Sequence, residues 1–148
     1  MQSPFMSLEL EEARAAAARG EVPVGAVVVR DGVVLGRAGN ETRALCDPSA
    51  HAEVQAIRAA CREAGSDRLP GAALYVTLEP CAACAGVIAA ARIARLYYGA
   101  ADPKSGGVAQ GARVFAHPQA HHAPEIYGGI AEAEAAELLR GFFAELRE

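Results

Sequence analysis

The chain has 148 residues, 52% of them apolar, and a formal net charge of −4. That is one domain, residues 1–148, able to bury about 70% of its unfolded surface without disulfide staples and too apolar for bulk disorder. No apolar run approaches the ~20 residues needed to span a bilayer, and the first residues lack the basic and apolar regions of a signal peptide, so a cytoplasmic location is expected.

In chain order, about residues 1–6 are expected to be a flexible N-terminus. Ser7 predicts a helix N-cap, with Glu9, Glu11 and Glu12 near the positive end of a helix that runs to about Arg19 and stops at Gly20. Residues 25–30 (GAVVVR) read as a strand, Asp31-Gly32 as a hairpin turn, and residues 33–36 as the antiparallel return. Residues 41–50 are a loop with a turn at Asp47-Pro48-Ser49. A helix then starts close to His51, carries Val54, Ile57, Cys61 and Ala64 on one face, and ends at Gly65. Residues 73–78 are a strand, Pro80 suits the first turn of the next helix, and residues 95–99 are another strand. Residues 100–123 are mostly loop, and a short strand falls within residues 124–130. The last helix carries Ala135, Leu138, Leu139, Phe142, Phe143 and Leu146 at helical spacing. The pattern is that of an α/β layered domain with a mixed sheet, antiparallel at the hairpin and parallel where helices connect strands.

Two short segments concentrate the chemistry: His51-Ala52-Glu53 and Pro80-Cys81-Ala82-Ala83-Cys84. One imidazole and two thiols suit a zinc ion and leave its fourth position open, as catalysis needs; structural zinc sites are closed by four protein ligands. Cys81 and Cys84 are three apart and share a helix face. In a first turn, unpaired N–H groups and the helix dipole favour thiolates. Bound zinc lowers the pKa of its water to roughly 7. Glu53 is assigned as the proton shuttle, not a ligand. A redox CxxC would leave His51 and Glu53 unexplained, and a non-catalytic zinc-binding module would have no use for Glu53. Cys46 and Cys61 are expected to be free, and His121 and His122 to be loop or interface residues.

The joint H-x-E … P-C-x-x-C is the signature of zinc-dependent nucleobase deaminases. Around it stand Glu21-Val22-Pro23-Val24-Gly25-Ala26-Val27, Asp47-Pro48-Ser49-Ala50, Leu74-Tyr75-Val76-Thr77-Leu78-Glu79, Cys84-Ala85-Gly86, Tyr98-Gly99-Ala100, Asp102-Pro103-Lys104 and Phe142-Phe143. With these the chain resembles the bacterial tRNA-specific adenosine deaminases of the cytidine/deoxycytidylate deaminase superfamily, over nearly its whole length after about Phe5. The resemblance implies a three-layer α/β/α cytidine deaminase-like fold with a mixed sheet of about five strands. It implies one zinc per subunit, a homodimer, and conversion of adenosine to inosine at the wobble position of a tRNA anticodon stem-loop. Zinc-bound hydroxide would attack C6 of a flipped-out adenine while Glu53 carries the protons. Substrate contacts are implied at Asn40, Ala52, Lys104, Phe142 and Phe143. Asn40 would bond the base, Lys104 would meet the RNA backbone, and Phe142 and Phe143 would lie near the anticodon loop; the helical pattern makes one of them core and leaves the other to meet a nucleotide. The net negative charge departs from the basic face usual in RNA enzymes. The alternative is a free-base or nucleoside deaminase acting on guanine, cytosine or cytidine.

Overall fold

The computed structural model describes residues 4–146. A five-stranded sheet runs through it, comprising β1 (Gly25–Arg30), β2 (Val33–Gly39), β3 (Ala73–Leu78), β4 (Arg95–Ala100) and β5 (Glu125–Tyr127), in the order β2-β1-β3-β4-β5. β1 is antiparallel to both β2 and β3, whereas β3, β4 and β5 are parallel. Four helices accompany it: α1 (Pro4–Ala18), α2 (Ala52–Ala64), α3 (Ala82–Ala90) and α4 (Glu132–Leu146).

The punctuation residues act as chemistry requires. Asp31 and Gly32 both take positive φ, 53° and 75°, the conformation that a tight two-residue hairpin with the sheet's own twist demands. Gly65 closes α2 in the left-handed region at φ 66°, where a side chain would cost energy. α1 starts earlier than expected. Ser7 lies inside the helix, and Pro4 occupies its first position, where the missing N–H costs nothing. Of the segment expected to be a flexible N-terminus, Pro4 to Met6 belong to α1, and the first three residues lie outside the described residues.

The sheet is covered on both faces. Ala56, Ile57 and Ala60 of α2 and Ala85 and Ile88 of α3 pack with Ala26, Val28, Leu74, Val76 and Leu96 in one cluster. Alternate residues, Val27 and Val29, point the other way and are buried, as are Leu10, Ala13 and Ala16 of α1. The approach is close. A Cβ on Gly36 would lie 2.5 Å from the Ala56 carbonyl oxygen, and one on Gly25 would overlap the Glu9 carbonyl. On the α1 face, Tyr75, Tyr97 and Tyr127 stand opposite one another and stack, with centroids 4.6 and 5.0 Å apart.

The apolar stripe of α4 predicts the helix but not its burial. Ala135 is buried, yet Phe143 is 43% and Leu146 61% exposed. Among the described residues, no helix is long and apolar enough to cross a membrane.

Glu9 departs most from expectation. Its place near a helix start favours a charged partner of the helix dipole, but the residue is 1% exposed. Its Oε2 has no hydrogen-bond partner among the described residues. Burial pushes its carboxyl up to about 9, from an ordinary 4.5. Between those two values the folded chain holds a proton that the unfolded chain has released. Stability contributed by this group is therefore present in full below the unfolded value and falls as pH rises towards 9, by at most about 1.4 kcal/mol per pH unit. Glu9→Gln keeps the shape and removes the titration. Melting curves taken from about pH 5 to about pH 9 are expected to show a flatter Tm profile in the variant than in the wild type. Parallel profiles would show that Glu9 does not hold its proton.

Candidate active site

Two helix N-termini meet at the candidate site. His51 is the N-cap of α2, with extended backbone at φ −69° and ψ 153°, and Cys81 is the N-cap of α3, at φ −73° and ψ 174°. Each cap carbonyl accepts the first helical bond, from the Gln55 N–H at 3.0 Å and the Ala85 N–H at 2.9 Å. Pro80 therefore precedes the cap of α3 instead of sitting in its first turn, and Cys81 stands at the cap itself. Cys84, the third residue of the helix, is buried.

These placements bring three donors together. His51 Nδ1 lies 3.2 Å from Cys84 Sγ and 3.6 Å from Cys81 Sγ. The candidate ligand atoms of the three residues all fall within 4.8 Å of one another. The Cys81 thiol is held down to about 3, first by the Cys84 thiol donating to it and next by His51. The same bond, and then burial, push Cys84 up. The bond to Cys81 raises His51. Two thiols and an imidazole packed this tightly share protons that a cation would displace. Nitrogen and sulfur donors of this kind fit zinc.

Glu53 is the second residue of α2 and is 4% exposed. Burial raises its pKa. A carboxyl whose charged form is disfavoured by burial binds a proton more tightly than a solvated one does.

Asn40 supports this corner differently from expectation. Its Oδ1 accepts the Ala52 N–H at 2.8 Å, which caps α2 because His51 makes no side-chain cap bond. Ala52 is wholly buried in the α2-side cluster. Lys104 is exposed on a loop next to the CxxC: Gly106 bridges to Cys81, and the Gly107 N–H donates to the Pro80 carbonyl at 2.8 Å.

The two phenylalanines are not brought to the donors. Phe142 lines a groove between α1 and α4 with Arg14 and Ala17, and its ring meets Phe143 edge-on at 5.4 Å. Phe142 is half-buried and Phe143 exposed, so neither is the core residue expected from the helical pattern. His122 Nε2 donates to the Ile93 carbonyl at 2.6 Å, and His121 lines a groove with Arg68 and Arg92. Cys46 is exposed and Cys61 half-buried, both as free thiols.

Sequence reasoning assigned no role to two buried carboxylates. Glu21, 1% exposed, accepts the Arg43 and Ala44 N–H groups at 3.1 and 2.8 Å, which ties down the loop before His51. Glu79, 2% exposed, does the same for the loop that carries Lys104. The available signal was an acidic residue at a strand end, directly before Pro80-Cys81, where an exposed charge has no reason to be.

Fold and donor set together define a class, the cytidine deaminase-like domain. A family model described as MafB19-like deaminase matches residues 2–147. The tRNA-specific adenosine deaminase of Agrobacterium fabrum is 60% identical over 143 residues, covering 97% of this chain and 94% of that protein. A solved structure from work on A-to-I editing by tRNA:A34 deaminases at the wobble position superposes with a TM-score of 0.90 at 60% identity. It covers 91% of this chain and 98% of that one. A guanine deaminase from Nitrosomonas europaea shares the fold at TM-score 0.83 and 22% identity, covering 97% of this chain and 86% of that one. The chain belongs to the tRNA-specific adenosine deaminase family, and it is a deaminase.

Metal analysis checks the donor set. Gently purified protein is expected to carry about one zinc per chain, and Cys84→Ser to lose most of it. Stoichiometric zinc in the Cys84→Ser variant would remove that thiol from the set.

Proposed function

We propose that this chain converts adenosine to inosine at the wobble position of a tRNA anticodon, with release of ammonia. The observation that carries the reading is Glu53, a buried carboxyl of raised pKa beside Cys84 and His51, next to three clustered donors at two converging helix starts. Support for the substrate comes from relatives alike over nearly the whole chain.

His51, Cys81 and Cys84 would hold one zinc ion per subunit, which when bound supplies a water acidic enough to act as nucleophile near neutral pH. The protein's own residues do the rest. The Glu53 carboxylate accepts a proton from the attacking water and returns protons to the ring N1 and the departing amino group. The buried walls around Glu53, with Ala52 and Cys84 packed beside it, keep bulk water from competing for those protons. Asn40 would hold the base edge through its side-chain amide. Lys104, exposed beside the CxxC, offers a cation to the RNA backbone, which matters in a chain of net charge −4. Ala52 shapes the pocket through main-chain placement. Phe142 and Phe143 belong to the RNA contact only if the bound stem-loop reaches the α1–α4 groove. A homodimer acting in the cytoplasm completes the proposal.

Two measurements test it. Glu53→Ala is expected to keep zinc and fold while turnover falls by about 10²–10⁴-fold or more; loss of zinc in that variant would make Glu53 a ligand instead. An anticodon stem-loop with adenosine at the wobble position is expected to yield inosine. Rapid turnover of free guanine, cytosine or cytidine with none of the stem-loop would replace this reading with a free-base or nucleoside deaminase.

A further inference from the structure

A buried carboxylate normally needs a cation or several hydrogen bonds to offset its lost hydration. Glu79 has four bonds, all from main-chain N–H groups of one loop. Its Oε1 accepts from Asp102 at 3.0 Å. Its Oε2 accepts from three consecutive residues, Val108 at 3.2 Å, Ala109 at 2.8 Å and Gln110 at 3.0 Å. Successive N–H groups turned onto one oxygen make an anion-binding nest, and here the anion is the protein's own.

The loop's sequence fits that wrapping. A Cβ on Gly106 would lie 2.6 Å from the Glu79 carboxyl carbon, and one on Gly107 would lie 2.5 Å from the Ala82 nitrogen. The loop is thus pressed between the carboxylate and the start of α3. Asp102 passes the order outward. Its Oδ1 accepts the Lys104 and Ser105 N–H groups at 3.1 and 3.0 Å, and its carbonyl accepts the Gly106 N–H at 2.8 Å. The main chain of the 102–105 tip is fixed at both ends while the Lys104 side chain stays exposed.

We propose that Glu79 is a positioning residue, whose carboxylate pre-forms the 102–105 tip, and with it Lys104, as an RNA contact beside the deaminase centre. The inference rests on the tRNA reading above. A loop ordered by folding has little conformational entropy left to lose when RNA binds. Glu79 thereby acts on substrate binding, whereas Glu53 acts on the chemical step.

Glu79→Gln sets an amide NH₂ against donors that need an acceptor. For the stem-loop, KM is expected to rise about tenfold with kcat within about threefold, at unchanged zinc content. In a Lys104→Ala background the same substitution is expected to add little to KM, because the two act through one contact. Amide exchange gives a readout apart from activity. In the wild type, the amides of residues 102 and 108–110 are expected to exchange slowly, and in Glu79→Gln about a hundredfold faster, with α3 unchanged. If the wild type leaves the stem-loop untouched, the substrate reading fails and takes this inference with it. If the wild type converts it but Glu79→Gln keeps its KM, loses zinc or loses kcat alone, the positioning role is overturned while the substrate reading stands. Should the variant not fold, wild-type exchange decides: slow exchange at those four amides supports the role, and fast exchange overturns it.

Discussion

The first N–H groups of α2 and α3 have no partners within their own helices, and the two helices begin against each other. Two like-signed dipole ends placed together repel unless something negative sits between them. The caps themselves supply part of that charge, because Cys81 is held as a thiolate and the Asn40 oxygen takes the Ala52 N–H. The donor cluster thus helps offset the converging dipole ends as well as offering a place for a cation. Small residues let α2 lie close on the sheet: Ala56 and Ala60 lie over Gly36 of β2, and Ala85 of α3 belongs to the same core cluster.

Four buried glutamates show how the environment decides a carboxyl's role. Glu21 and Glu79 each meet main-chain N–H groups from a loop that rims the site. Their oxygens are satisfied, and the loops are held in return. Glu9 packs against the other face of the sheet with an oxygen that finds no such donor, and burial alone then drives it to the neutral form. Glu53 shares the burial but sits among thiols and an imidazole, where holding and releasing a proton is useful. The same side chain serves as anchor and as inert acid, and in the proposed reaction as proton carrier.

What the sequence made legible was local. β1 and β3 fall where their runs of β-branched and aromatic residues put them, Asp31-Gly32 turns as its φ tolerance demands, and Gly65 ends α2. The donor set was legible for the same reason: its members lie in two short segments whose spacings match helix starts. The anchoring glutamates were not, because their partners stand 22 to 31 residues away and main-chain donors leave no mark on composition. α4 misled in a different way. A stripe at helical spacing reports which residues share a face and says nothing about whether one chain has anything to cover it. Glu9 misled because proximity to a helix start was weighed before the direction its side chain takes, which only the packed sheet determines.

The sheet order leaves β2 and β5 as open margins, where unpaired main-chain groups invite another strand. Both margins are blunted. β5 is three residues long and is followed by Gly128-Gly129. Beside β2, the register slips between Val28 and Val29, and such a bulge increases twist. The β2 side chain Arg37 is clamped by Glu11 and Glu12 at 3.0 and 2.7 Å. Val33 and Ile126 stand exposed at these margins, but neither lies on a long, flat, uncharged ladder. The fold thereby resists growing sideways into aggregates even though more than half its residues are apolar.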